Sequence, residues 1–135
     1  MSNYREPIKA LIADDDPISL MILDSLVRDL GIETLTATDV ASAKTVLSYL
    51  VPQIAILDVI LPDGDGVDIL HAIRAAKLPT AVALISATLG DFPFHKCGSN
   101  QPDIIFSKPL DGKAITAWII KQAKHAEERA EKVQL

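Results

Sequence analysis

Several stretches of the chain are apolar without alternation: Ile8–Ala13 (broken only by Lys9), Ile54–Leu57, Ala81–Ile85 and Ile104–Phe106. A strand with one wet face alternates, whereas a strand covered on both faces does not. These runs therefore predict buried strands of a parallel sheet, over 8–13, 53–58, 80–86 and 103–107. A further strand, 32–37, carries Glu33, Thr34 and Thr36, and that partial alternation suits an edge. Between the strands the period changes. Ile18, Ile22, Leu26 and Leu30 recur four apart, with Leu23 and Val27 beside them. Asp16 before Pro17 starts this helix and Gly31 stops it near Leu30. Val40, Ala43, Val46, Leu47 and Leu50 mark a second helix, opened by Thr38 or Asp39 and ended by Pro52. Val67, Leu70 and Ile73 mark a third, to about Lys77, before Pro79. Ile115, Trp118, Ile119 and Gln122 mark the last, capped by Asp111, with a polar end over Glu127–Lys132.

One segment breaks the alternation. Strand and helix order demands a fourth helix within 88–102, but Gly90, Pro93, Gly98 and Pro102 oppose it. A loop, or at most one or two turns, is expected there. The pattern as a whole predicts an α/β fold: a doubly wound, five-stranded parallel sheet with right-handed crossovers and a degenerate fourth helix. The expected organisation is one domain over 1–135. It has a polar arm at 1–7, a core at 8–125 and a polar helical extension at 126–135.

Composition narrows the function. Of 135 residues, 49% are hydrophobic and 23% charged, which argues for a packed core. The net charge of −5, with no stripe of Lys or Arg, argues against direct nucleic-acid binding. No apolar run approaches a membrane span, and the first residues contain no apolar signal core. Cys97 stands alone, so no internal disulfide forms, and a cytoplasmic setting is expected.

The strand ends carry the chemistry. Strand one ends in Asp14 and Asp15, strand three in Asp58, strand four in Ser86, and strand five in Lys108 followed by Pro109. In a parallel sheet these ends share the carboxyl edge, where α/β folds bind ligands. Asp16 alone suffices as a helix cap, so Asp14 and Asp15 need another reason. Three carboxylates together call for a cation, and oxygen ligands of this kind suit Mg²⁺. Asp58, beside the loop 61–66, is expected to attack phosphorus as a nucleophile. Asp15 and Asp58 would hold the metal and Asp14 would assist through a water. Lys108 would pair with the phosphate and Ser86 would hydrogen-bond to it.

With Asp14-Asp15, Asp58, Leu61-Pro62, Asp65-Gly66, Ser86-Ala87 and Lys108-Pro109 in this order, the chain resembles the receiver domains of two-component response regulators. The resemblance covers roughly residues 8–125. It implies strand order 2-1-3-4-5. It implies a phosphoprotein whose Asp58 is phosphorylated by a histidine kinase or histidine phosphotransfer protein. That phosphoacceptor promotes its own phosphorylation and dephosphorylation and is not an enzyme acting on a separate substrate. The resemblance adds the backbone carbonyl of Ile60 as a metal ligand, movement of Ser86 towards the phosphate, an inward turn of a strand-five aromatic, and a cis Lys108–Pro109 bond. With no output domain following, signalling by docking to a downstream protein or by onward phosphotransfer is expected.

The chain departs from the family's pattern. The aromatic usually three residues before the Lys is Ile105 here, and Phe106 sits one step later, on the opposite face if the strand is regular. The thin fourth helix suggests an order–disorder switch in 88–102. Ile60 is apolar where many relatives are polar, which predicts a long-lived phosphorylated state. His95 and Cys97 form too sparse a pair for zinc. His71 reads as a surface or half-buried histidine, Trp118 as packed on the sheet, and the charged end of the last helix as solvated, with a weak dimer contact a minor option. Two rivals remain at this point. One is a phosphate-independent docking module. The other is a phosphatase of haloacid-dehalogenase type using Asp14 and Asp16, which leaves Asp58 without a role.

Overall fold

The computed structural model describes residues 7–87 and 94–133. Its elements are β1 (Lys9–Ala13), α1 (Pro17–Arg28), β2 (Glu33–Ala37), α2 (Val40–Leu47), β3 (Ile54–Asp58), β4 (Ile60–Leu61), β5 (Gly64–Asp65), α3 (Gly66–Ala75), β6 (Ala81–Ser86), α4 (Phe94–Cys97), β7 (Ile104–Ser107) and α5 (Gly112–Val133). The main sheet is parallel throughout, in the order β2-β1-β3-β6-β7. Setting aside the short β4–β5 pair, this is the expected 2-1-3-4-5 order, with the partly polar β2 at one edge.

The unbroken apolar runs now have a cause. Successive side chains on a strand point to opposite faces. Leu11, Ala13, Ala55, Leu57, Val82 and Leu84 feed a core shared with α2 and α3. Ala10, Ile12, Ile54, Ile56, Ala83 and Ile85 feed a second core with α1 and α5, including Leu23, Val27, Ile115, Trp118 and Ile119. Both faces are covered, so neither can be polar.

The helix boundaries follow local chemistry. Asp16 caps α1 and Pro17 opens it, while Gly31 takes the left-handed backbone (φ +79°) that ends it. Asp39, rather than Thr38, caps α2, accepting from the Ser42 N–H at 2.7 Å. α2 stops at Leu47 instead of Leu50, where the Ser48 hydroxyl turns back to the Thr45 carbonyl at 2.6 Å. α4 is a single turn, as the Gly and Pro content requires, and residues 88–93 of the same segment lie outside the described residues. The polar end of α5 is exposed, although Arg129 reaches back to the Pro79 carbonyl at 3.4 Å. Among the described residues no helix is long and apolar enough to cross a membrane.

The stretch 61–66 is more ordered than its sequence suggests. Ile60 and Leu61 pair antiparallel with Asp65 and Gly64, so the loop is largely a small hairpin turning at Pro62 and Asp63. Directly after it, Gly66 passes so near β3 that an added Cβ would lie 2.5 Å from the Asp58 carbonyl oxygen. A side chain at that position would push the hairpin off the strand.

Candidate functional site

β3 is the middle strand, with β1 and β6 as its neighbours. The register pairs Ala13 with Leu57 and Asp58 with Ile85, so Asp14 and Ser86 follow on either side of Asp58. The backbone bonding continues one step beyond the strands: the Asp14 N–H donates to the Ala37 carbonyl at 3.0 Å, and the Lys108 N–H to the Ser86 carbonyl at 2.9 Å. Those bonds hold Asp14 and Lys108 at the rim. Lys108, one strand further out, spans β6 with its long side chain, and its Nζ donates to Asp58 Oδ2 at 3.1 Å. The Ile60 N–H donates to Asp58 Oδ1, also at 3.1 Å. Both oxygens of Asp58 are therefore held by named donors.

Asp14, Asp15 and Asp58 place one carboxylate oxygen each within 4.8 Å of one another. Asp14 and Asp58 are buried, and Asp15 is exposed at the mouth. Asp14 Oδ1 accepts from the Asp16 N–H at 2.9 Å, but its Oδ2 is buried with no hydrogen-bond partner. Burial raises the Asp14 pKa to about 6, and the adjacent Asp58 carboxylate adds to the rise. Burial alone would lower Lys108, but its hydrogen bond to Asp58 and that carboxylate's charge outweigh burial and raise it. The donor set is hard oxygen in a net acidic pocket, with one orphaned buried atom. These residues fit Mg²⁺.

Residues 10–120 match the response regulator receiver domain. The chain belongs to this family. Receiver domains are phosphoacceptor signalling modules of two-component systems that bind Mg²⁺ in an acidic pocket, and this one has such a cluster. A probable transcriptional regulator, ycf27, of Galdieria sulphuraria is 38% identical over 120 residues, covering 88% of this chain and 46% of that protein. The chain spans about half or less of the length of such curated relatives. The signal receiver domain of an HD domain-containing protein from Pseudomonas fluorescens Pf-5 has the same fold, with a TM-score of 0.84 at 20% identity, covering 97% of each chain. The receiver domain of sensor histidine kinase PA1611 from Pseudomonas aeruginosa PAO1 gives 0.77 at 17% identity, covering 87% of this chain and 98% of that one. That structure has a magnesium ion coordinated in its active site cleft.

In this receiver domain the Lys108–Pro109 bond is cis. Phe106 does not stand in for the missing ring at Ile105. Ile105 packs on the core with α2 and α3, whereas Phe106 lies on the α1–α5 side. There it meets Trp118 edge-on, with ring centroids 6.1 Å apart. His95 is exposed and Cys97 is buried, so that pair does not converge on a common site.

The sequence reading missed a second set of contacts beside the site. Asp65 caps α3 by accepting from the Asp68 N–H at 3.0 Å, and the Asp68 side chain accepts from the Asp65 N–H at 3.0 Å. Two aspartates three apart ahead of an apolar run were the available signal. Asp65 also accepts from Lys96 Nζ at 2.6 Å, tying the hairpin to α4. His71 is half-buried and grips the same segment. Its Nε2 bonds the Lys96 carbonyl at 2.7 Å, and its Nδ1 meets the Asn100 amide nitrogen at 2.9 Å. The carbonyl can only accept, which assigns the ring proton to Nε2 and leaves Nδ1 to accept from Asn100. No periodicity in the sequence marks Lys96 or Asn100.

Proposed function

We propose that this receiver domain accepts a phosphoryl group on Asp58 from a histidine kinase or histidine phosphotransfer protein. The observation that carries the reading is the Lys108 Nζ–Asp58 Oδ2 contact of 3.1 Å, made across 50 residues of sequence beside a carboxylate cluster with an unpartnered oxygen. An Asp58 oxygen attacks phosphorus, and the bond from phosphorus to the donor imidazole breaks. The electron pair returns to the imidazole, which takes up a proton from water. Asp15, Asp58 and the Ile60 carbonyl would hold Mg²⁺, with Asp14 acting through a water. Bound there, Mg²⁺ supplies charge neutralisation to the transferring oxygens. Lys108 is held by the Asp58 carboxylate until that oxygen bonds to phosphorus, and then turns to the phosphoryl oxygens. Ser86, on the far side of Asp58 from Asp14, donates to them as well.

Downstream, a protein partner reads the phosphorylated state, or a second histidine receives the group. Exposed Ile18 and Met21 on α1 lie just beyond Asp14–Asp16 and extend the rim as an apolar surface for the phosphodonor protein. The test is incubation with acetyl phosphate and Mg²⁺, followed by intact mass. A gain of one phosphoryl group in the wild type, absent in Asp58→Asn, is expected. Unmodified wild type, or steady release of inorganic phosphate from a generic aryl phosphate, would sink the reading. A docking role without phosphate is the second reading, favoured by Phe106 being already engaged with Trp118. It predicts partner binding that survives Asp58→Asn.

A further inference from the structure

Asp63 sits at the tip of the β4–β5 hairpin, and its carboxylate leaves the hairpin for a different element. Oδ1 accepts from the Val40 N–H at 2.7 Å and Oδ2 from the Ala41 N–H at 2.9 Å. These are first-turn amides of α2, which have no partner inside the helix. α2 already has its own cap in Asp39. The second carboxylate arrives from 23 residues further along the chain. Those two amides hold the Asp63 carboxyl below the usual carboxylate range.

Two residues later, Asp65 is itself the N-cap of α3 and accepts from the Asp68 N–H. One hairpin is therefore pinned to two helix starts. It fits tightly between them, since a Cβ added at Gly64 would lie 2.6 Å from Asp68 Oδ2 and 3.1 Å from Val40 Cγ2. The other end of the hairpin is Ile60, whose N–H holds Asp58 Oδ1 at 3.1 Å.

We propose that Asp63 is a positioning residue for the Asp58 site: it docks the hairpin on α2 and thereby fixes Ile60, both its N–H on Asp58 and its carbonyl towards the metal. Asp63 touches none of the reacting atoms itself. The carbonyl half of this statement rests on the phosphoacceptor reading, and the N–H half does not. Groups that hold a metal ligand in place commonly change metal affinity by tenfold or more when removed.

The competing explanation is that Asp63 merely caps α2, and Asp39→Ala separates the two. It removes a cap from the same helix without touching the hairpin. Amide hydrogen exchange at Ile60 is measured in the metal-free protein, and Mg²⁺ affinity by calorimetric titration. Asp63→Ala is expected to speed Ile60 exchange and weaken Mg²⁺ binding, each by about tenfold. Asp63→Asn, which keeps one acceptor oxygen, should fall between it and wild type, and it carries the comparison if the alanine variant does not fold. Asp39→Ala should lower the melting temperature while leaving both readouts at wild-type values. Wild-type exchange and affinity in Asp63→Ala would overturn the proposal, as would equal changes in Asp39→Ala. Failure of the wild type to bind Mg²⁺ would instead overturn the reading of the acidic cluster, and the Ile60 exchange comparison would still decide the role of Asp63.

Discussion

Strands β3 and β7 each deliver a charged side chain to the rim, and they are built differently. Every residue of β3 is buried, with strands on both sides and helices on both faces. β7 is an edge strand with Ile104, Ile105 and Phe106 only half-buried, and the described part of the connection leading into it contains one helical turn. Asp58 is held by the packing of a whole strand. Lys108 is held by one backbone bond to Ser86 and by its reach to Asp58. The difference separates a fixed acceptor from a counter-charge that can shift as the acceptor changes charge. Elements that move in signalling come from the less stable parts of a fold.

Core truncation sharpens this contrast most strongly. Ile56→Ala in β3 should cost about 3–5 kcal/mol in urea unfolding, because the cavity cannot collapse between two packed layers. Ile105→Ala in the half-buried β7 should cost about 1–2 kcal/mol. Equal costs would erase the distinction between the strands.

Asp14 tests the cost of keeping carboxylates together. Its folded-state pKa of about 6 lies above the ordinary 3.8, so the folded protein keeps a proton that the unfolded chain loses. Stability of the metal-free protein should therefore fall as pH rises through that window and level off above it. Asp14→Asn removes the penalty. At pH 7 it should stabilise the metal-free protein by about 1–3 kcal/mol, the lower figure allowing for water at the open mouth. A variant no more stable than wild type, with the same pH profile, would contradict the electrostatic account.

Smaller effects are expected where the hairpin meets α4 and at Ile60 beside Asp58. Lys96→Met cuts the link from Asp65 to α4, so it should speed hydrogen exchange several-fold over 94–100 while leaving the melting temperature nearly unchanged. Unchanged exchange would mean that His71 and Asn100 suffice to hold α4. Ile60→Asn replaces an exposed apolar side chain beside Asp58 with one that can hold a water. The phosphorylated state should hydrolyse faster than in wild type, where a half-life of seconds would already reject the expected long lifetime.

The sheet was legible because the strands are short, apolar and closed by particular residues, while its order was legible only through the resemblance to receiver domains. Asp14, Asp58, Ser86 and Lys108 each end a strand, and parallel topology alone brings strand ends together. Over the described residues 94–102, the single turn of α4 was legible from the flanking Gly and Pro residues. The hairpin at 60–65 was not, because Pro62 and Gly64 look like loop residues and two-residue strands have no period to detect. Asp63, Lys96 and Asn100 were hidden for another reason: each acts through one or two long-range contacts to backbone or side chains, which leave no pattern along the chain. The face reversal at Phe106 was legible as geometry, but its partner Trp118 was not.

The most direct test is to find where phosphorus bonds. After treatment with acetyl phosphate and Mg²⁺, borohydride reduces an aspartyl phosphate to homoserine, which peptide mass mapping locates. Homoserine at position 58, dependent on Mg²⁺ and lost in Lys108→Met, is the predicted result. Phosphate on a histidine, or homoserine at another aspartate, would contradict the account.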